Sequence, residues 1–528
     1  MRSTTVIAIC LLSGRAVLAG GPFEAAALAP PDVRLFVHID DAARLRGQLH
    51  NRPIGRWVRS WLAQGELPAA WERLANAAGL TEADFFDKCL GRRVTLMSRA
   101  GEFSSEWVVL TEIEPDVSAA LLRSLSPRVL APSNGVGVFH LAEQALVLAR
   151  ADRLVLIAPD DDRGLFDAVV PNLHRAPDVS LAQHEAVLRG TILGTELGGD
   201  PGQARAGVLI QHAPPLGGWS VAVAGLDDDR VRVRHASRFD SAPFRSRVTA
   251  LTWDPSPLSC LEGTGFLGYI EPTDTSGGPF DAFVATLLGE PLISQALGDN
   301  LGARRITALS DVEGRLEDPP FDLLLPTVAR AYEVLDAARA WSQVDTHMIR
   351  LVAALNQLGQ GSFELAVPDP ADFEPGRPRS VPIGPMARWL FGDIAGIDQV
   401  SLNWTVAGAG GAATRWCIVA SHPDHLDAVT AALENDARCL PNAGELGGWT
   451  TSGIGHGKRL AQNLASWSNH VETLAAPEDV AAMRDALDLL RELAQGVDRC
   501  QWRMTRPTAE SVTTEAEFEL SPPESSEQ

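Results

Sequence analysis

Lysine is almost missing from this chain. Of 45 basic residues in 528, only Lys88 and Lys458 are lysines, and the remainder are arginines. Schiff-base chemistry therefore has two candidate amines, and neither sits in an apolar run that would lower its pKa. Positive charge is scarce as a whole. The 67 acidic residues leave a formal charge of -22 and a pI near 5.0. A chain of that sign repels a phosphate backbone at long range, which excludes nucleic acid as the main partner. Cysteine is scarce too: six residues with no C-x-x-C pair exclude a disulfide scaffold. Recognised catalytic signatures are absent. There is no G-x-S-x-G elbow, no S-x-x-K and no H-E-x-x-H, since His184 and Glu185 continue as Ala186, Val187 and Leu188. What the chain does have is 45% hydrophobic and 21% charged residues, a globular composition with length for about two to four domains.

The first twenty residues, MRSTTVIAICLLSGRAVLAG, carry Arg2, an apolar run at 6–12 and a small-residue approach through Val17, Leu18 and Ala19. That order is the pattern of a signal peptide spanning 1–19, cleaved near Ala19 to leave a periplasmic or extracellular protein. Arg15 interrupts the apolar stretch, so a retained anchor helix and a buried strand are the competing readings. The seven-residue run is too short to span a bilayer, and no later stretch reaches that length, so no transmembrane span is expected after cleavage. Cleavage leaves Cys89, Cys260, Cys417, Cys439 and Cys500, whose pairing the spacing does not define.

One theme recurs: a short apolar strand, an acidic or proline-containing turn, then an amphipathic helix. It occurs in RLFVHIDDAARLRGQL from Arg34, WVVLTEIEPDVSAALLRSL from Trp107, LVLIAPDDDRGLFDAVVPNL from Leu154 and WCIVASHPDHLDAVTAALEN from Trp416. In the first, Asp40 and Asp41 are placed to cap the following helix. The last two share L-x-DAV at Leu165 and LDAV at Leu426, each after a strand and a Pro-Asp pair. Hairpins are expected in QALVLARADRLVLIAP, in WSVAVAGLDDDRVRVRHASRF and in the late segment CQWRMTRPTAESVTTEAEFEL. Antiparallel strands mixed with helices predict an α+β fold, a duplicated module of antiparallel sheet packed against helices. The expected divisions are a first module at 26–172, a β-rich connecting segment at 173–248, a second module at 249–435, helices and a closing hairpin at 436–521 and a disordered tail at 522–528. Short alanine-rich helices also imitate one another in a biased composition, which is the competing account of the repeat. The stretch PDPADFEPGRPRSVPIGP reads as a long surface loop.

Few segments invite a chemical reading. TSGIGHGKRL at 451–460 fails the phosphate-loop pattern: Ser452 replaces the first glycine, Arg459 follows Lys458, and no strand is expected to run into it. It reads as a glycine turn before a helix. AGAGGA at 407–412 reads as a hairpin loop. His422 and His425 have i, i+3 spacing, and with Asp424, or with His456 from further along, they are the metal-ligand candidates. The competing reading is an exposed helix start, with Pro423 in the first turn. Asp160, Asp161 and Asp162, like Asp227, Asp228 and Asp229, lack the D-x-D-x-D-G alternation. A weak surface Ca2+ ion is the most they could hold, and no cofactor is expected. Trp57 and Trp61 are four residues apart beside Arg56 and Arg59, with Trp71 downstream. They share a helix face, which is either core or a binding surface.

Pro31, Asp32, Phe36, Val37 and Asp40, together with the strand pair before Asp160, resemble a class of exported bacterial proteins of the DUF3352 type. The resemblance covers about the first 170 residues and the second block, and implies export and duplication. No catalytic residue is carried over with it. The expectation is thus a non-enzymatic exported scaffold or binding protein whose partner is an envelope protein or a glycan, its oligomeric state open. The alternatives are a hydrolase with a site assembled in an intermodule cleft and a small-molecule carrier.

Overall fold

The structure, a computed structural model, describes residues 24–49, 52, 66–100, 106–125, 127–130, 136–174, 180–181, 204–212, 217–227, 229–241, 267–273, 290–310, 327–372, 374, 376–391, 400–407, 415–434, 451–469, 480–508 and 510–522. The chain forms two compact units. Unit 1 comprises Met1–Phe244 with Arg506–Gln528, and unit 2 comprises Arg245–Thr505.

Unit 1 begins with strand β1 (Leu35–Ile39), helices α1 (Ala42–Leu49), α2 (Glu66–Ala77) and α3 (Glu82–Phe85), and strands β2 (Val94–Ser98) and β3 (Trp107–Glu112). Helix α4 (Pro115–Leu125) leads to β4 (Arg128–Val129), β5 (Gly137–Leu141), β6 (Leu146–Ala151) and β7 (Leu154–Pro159). After α5 (Gly164–Val169) come β8 (Ala204–Gln211), β9 (Trp219–Asp227) and β10 (Arg230–Arg238). The strands pair, always antiparallel, in the order β4-β5-β6-β7-β3-β2-β1-β8-β9-β10, and Ser511–Leu520, named β19 by its place in the chain, pairs with β10.

The inner strands are largely apolar on both sides because both faces of the sheet are covered. Along β6, Val147, Ala149 and Ala151 enter one core with α5, while Leu146 and Leu148 enter the other with α4. Strand β7 divides the same way, with Leu156 and Ala158 against Val155 and Ile157. Antiparallel pairing with poor polar alternation follows directly. Local signals set the helix starts: Asp41 Oδ1 accepts from the Arg44 N–H at 3.0 Å, and Pro115 opens α4. Toward the turn of the β9–β10 hairpin the alternation is clean. Val231 and Val233 are buried, whereas Arg230, Arg232 and Arg234 lie opposite Glu519, Glu517 and Glu515 of β19. Ion pairs at 3.2 Å (Arg232–Glu517) and 3.3 Å (Arg234–Glu515) tie that exposed face.

Unit 2 runs β11 (Leu267–Pro272), α6 (Glu290–Leu297), β12 (Leu301–Ser310), β13 (Thr327–Val334), α7 (Ala337–Gly359), β14 (Arg379–Pro382), α8 (Gly384–Phe391), β15 (Ser401–Ala407) and β16 (Arg415–Ala420). It continues with α9 (Pro423–Glu434), β17 (Thr451–Gly455), α10 (Gly457–Asn469), α11 (Val480–Gln495) and β18 (Val497–Thr508). Its antiparallel order is β14-β15-β16-β13-β12-β11-β17-β18. Cys417 and Val419 of β16 join α7 on one face, and Trp416, Ile418 and Ala420 join α9 on the other. Several buried charges inside this unit are paired. Glu271 and Arg305 are 6% and 5% exposed and meet at 2.7 Å. Asp345 of α7 accepts from Trp404 Nε1 at 3.1 Å and pairs with Arg379 at 3.2 Å.

The antiparallel α+β architecture anticipated from the sequence is present in both units. The expected division at 248/249 lies beside the unit boundary at 244/245. Those at 172 and 435 lie inside the units, because 173–248 supplies β8, β9 and β10 to the sheet of unit 1, and 436–521 supplies β17 and β18 to unit 2 and β19 to unit 1. The signal segment 1–19 and residues 523–528 lie outside the described residues. The anticipated proline-rich loop is irregular and exposed in the described part of 368–378, but its last residues form edge strand β14 and open α8. Pro382 is accommodated at that edge. Among the described residues no helix is long and apolar enough to cross a membrane.

Removing one member of the buried pair leaves an uncompensated charge. Glu271→Ala is expected to destabilise unit 2 by about 3 kcal/mol in equilibrium urea unfolding. The double replacement Glu271→Leu with Arg305→Met should cost less than the single one.

Candidate functional site

Hydroxyl and imidazole groups meet at two places in unit 1. His38 projects from β1 toward β2, where its Nδ1 lies 2.7 Å from Thr95 Oγ1 and its Nε2 lies 3.1 Å from Asp40 Oδ1. Gly207 is its cross-strand neighbour on β8, and Phe36 stacks on its ring at 6.5 Å. Hydroxyl, imidazole and carboxylate in line are the parts of a nucleophile with its base and orienting acid. Here His38 and Thr95 are each 2% exposed and Asp40 is 6% exposed, so the hydroxyl is closed to a substrate. The arrangement satisfies buried polar groups.

The second group crosses β8, β9 and β10. Ser220 and Ser237 are opposite residues of the β9–β10 pair, and their hydroxyls are hydrogen-bonded. His212 Nε2 lies 2.6 Å from Ser220 Oγ, and His235 Nε2 lies 2.8 Å from Ser237 Oγ. The Phe239 ring packs on His212 at 5.0 Å. Burial, with a smaller contribution from His212, pushes the His235 imidazole down to about 4, and burial also lowers His212. Both rings are therefore neutral near pH 7 and able to accept a proton. Their serines are buried. Sequence alternation marked this hairpin as half-buried and gave no reason to single out its serines.

The candidates from the sequence are not brought together into one site. Trp57, Trp61, Arg56 and Arg59 lie outside the described residues. Trp71, downstream of them, is a core residue, with its ring 6.3 Å from both Phe85 and Trp107. His425 is buried at the start of α9, whereas His422 is half-exposed and its Nδ1 accepts from the Asp424 N–H at 3.3 Å. Among the described residues no group of three or more His, Cys, Asp or Glu side chains is placed to hold a metal ion. Asp160 pairs with His140 at 2.8 Å. Asp227 and Asp229 flank the β9–β10 turn, and Asp228 lies outside the described residues, as do 408–412 of the AGAGGA segment.

The TSGIGHGKRL segment departs from its expected form. Strand β17 does run into helix α10, with His456 alone between them. A side chain at Gly457 would collide with the carbonyl oxygens of Ala494 and Val497. That close approach explains the glycine by packing, and two carbonyl oxygens are a poor lining for a phosphate.

A surface remains on unit 2 that sequence reading missed. Helix α7 ends with Gln360 in the left-handed conformation, and Asn356 holds the following segment by donating to Leu365 O at 2.8 Å and accepting from Leu365 N–H at 2.7 Å. Those bonds turn Phe363 and Leu365 into the core. Phe363 lies so close to Gly359 that a Cβ there would be 2.8 Å from its ring. On its other side Phe363 meets Trp389 of α8 at 5.6 Å between ring centroids. Trp389 is 49% exposed, and in the chain segment that carries Phe363 Leu358 is 67% and Val367 47% exposed. The only sequence signal was the apolar residues themselves, whose exposure depends on how α7 and α8 dock.

No family model matches the chain, and no curated protein matches it in sequence. Among solved structures it has a likeness to the one described as "Structure of crystal form IV of TP0453", at 10% identity and a TM-score of 0.24, covering 42% of this chain and 81% of that one. A likeness at that score carries no argument about this protein.

The three thiols among the described residues are equally poor candidates for chemistry. Cys89, Cys417 and Cys500 are free, and burial pushes them up to about 11, about 12 and about 11. Since the thiolate is the reactive form, a maleimide should label peptides containing these three only after denaturation. Rapid labelling of Cys417 in the folded protein would contradict this assignment.

Proposed function

We propose that this protein is an exported, non-enzymatic scaffold that binds an envelope protein through the apolar surface around Trp389. The exposed indole packed against the buried Phe363 ring carries the reading, and Leu358 near the end of α7 and Val367 beyond it add exposed aliphatic side chains in the same unit. Half-exposed tryptophan and aliphatic side chains on a firm base are what a protein partner buries at the centre of an interface. A glycan would use the indole but gain little from the two aliphatic side chains. The acidic composition and the burial of Ser220, Ser237 and Thr95 favour binding over hydrolysis.

A duplicated module belongs to the same proposal. Unit 1 follows β5-β6-β7-β3-β2-β1-β8-β9, and unit 2 follows β14-β15-β16-β13-β12-β11-β17-β18. Taken in chain order these are the same connections. Helices α4 and α7 follow the third strand of each, and α5 and α9 follow the strand that pairs back onto it. Leu165 and Val169 of α5, like Leu426 and Val429 of α9, are buried, in keeping with the shared Leu and Asp-Ala-Val pattern. The insertion of α10 and α11 between β17 and β18 is one place where unit 2 departs from unit 1, and α8 between β14 and β15 is another. The resemblance to exported proteins of the DUF3352 type, and cleavage near Ala19, are parts of this reading.

A photo-crosslinking residue at position 389, introduced in the native host, should join one defined envelope chain, and Leu358→Glu should abolish that product without lowering the unfolding midpoint. A crosslink that persists in Leu358→Glu, or none at all, would refute the binding surface. Intact mass of the same preparation should begin at Gly20, and a retained Met1 would remove the argument for export.

A further inference from the structure

The four polar side chains that cross β8, β9 and β10 hold a fixed number of protons. His212 Nε2, Ser220 Oγ, Ser237 Oγ and His235 Nε2 form three consecutive links. Each link requires one proton. The serines supply two, and one imidazole Nε2–H supplies the third, leaving the other Nε2 bare as the terminal acceptor. With a second Nε2–H, both ends donate inward. Two hydroxyl protons then face the single link between Ser220 and Ser237, and one must leave the chain. No other acceptor is within hydrogen-bond distance of either serine among the described residues, and the serines are only 4% and 2% exposed. A buried hydroxyl without an acceptor is costly, and the two half-buried imidazoles would gain a charge beside it.

We propose that this His–Ser–Ser–His chain is an acid-sensitive latch, in which uptake of one proton releases the β9–β10 hairpin from its closed state. Among the described residues the neighbours on that face offer nothing to offset the added charge. On the same face the neighbours are Ala222 of β9, Val512 and Thr514 of β19, and Ile210 of β8, all uncharged. Asp240, against Gly217 at the β8–β9 turn, is exposed, and Arg238 alternates onto the opposite face. The two imidazoles act on each other with like charge, which opposes protonation of the second.

The direction of the effect follows from linkage. In the open hairpin an imidazole binds its proton near the ordinary value of 6.5, whereas the closed form holds His235 down to about 4. The closed form is thus fully favoured above about pH 6.5 and loses ground as pH falls, by up to about tenfold per pH unit for one proton. Ordinary carboxylates titrate below about pH 5, so the interval above that isolates the imidazoles. The latch is independent of the binding surface around Trp389.

Hydrogen exchange on the full-length protein tests it, with rates over 219–238 corrected for intrinsic pH dependence. Between pH 6.5 and 5 the opening constant should rise about fifteenfold, approaching tenfold per unit toward the lower end. His235→Gln, which keeps an acceptor but does not titrate, should flatten that slope, and His140→Gln, at a different histidine, should leave it intact. A pH-independent opening constant in the native protein, or an unchanged slope in His235→Gln, would overturn the proposal. Should His235→Gln fail to fold, NMR titration of the native His235 ring decides, and a midpoint near 6.5 with the hairpin still protected would rule the latch out.

Discussion

Each unit is organised by one strand whose two backbone edges must both be filled. Strand β1 pairs with β2 on one side and with β8 on the other, and β11 pairs with β12 and β17. A buried strand with an unpaired edge would leave a row of N–H and C=O groups without partners. Sealing the second edge requires a segment far along the chain, and every helix between must be set on a face of the sheet. The two-sided cores, the largely apolar inner strands and the positions of the helices follow from that requirement.

Polar residues that fall inside such a sheet need partners of their own, and the two units meet this need differently. Unit 1 uses hydroxyl and imidazole groups, with Thr95 and Asp40 on His38 and two serines between His212 and His235. Unit 2 uses opposite charges. Glu271 faces Arg305, Asp345 faces Arg379, and the fully buried Arg330 donates to Thr307 at 3.0 Å. Ion pairs tolerate small errors of angle but lose much when one partner goes. Hydrogen-bonded imidazoles cost less to bury, and their state depends on the proton supply.

Much of the local architecture was legible in the sequence. The strand at 35–39, the proline-started helices at Pro115 and Pro423 and the arms of the β9–β10 hairpin all have physical signals within a few residues. Strand partners were not legible, because an apolar strand covered on both faces carries no mark of which neighbour it takes. That also explains why QALVLARADRLVLIAP alternates poorly although it is a regular antiparallel pair. The glycines of TSGIGHGKRL suggested a turn. A strand and then a helix form there instead because Gly453 and Gly457 admit close neighbours from β18 and α11. The exposed surface was hidden for a different reason. Trp389 and Leu358 fit an amphipathic pattern, and only the docking of α7 and α8 decides which apolar residues remain in water.

Strand β19 carries a consequence for how the chain acquires its structure. It lies beyond the whole of unit 2 yet belongs with unit 1, bonded along the full length of β10. During synthesis β10 emerges with one edge bare, and more than two hundred residues follow before its partner exists. Throughout that interval the nascent first unit presents an open strand edge, the kind of template on which chains join one another. Arg230, Arg232 and Arg234 line it. Until their glutamates arrive, three like charges in a row discourage a second copy of β10 from docking there, so the same arginines that later complete the sheet guard it while it is unfinished.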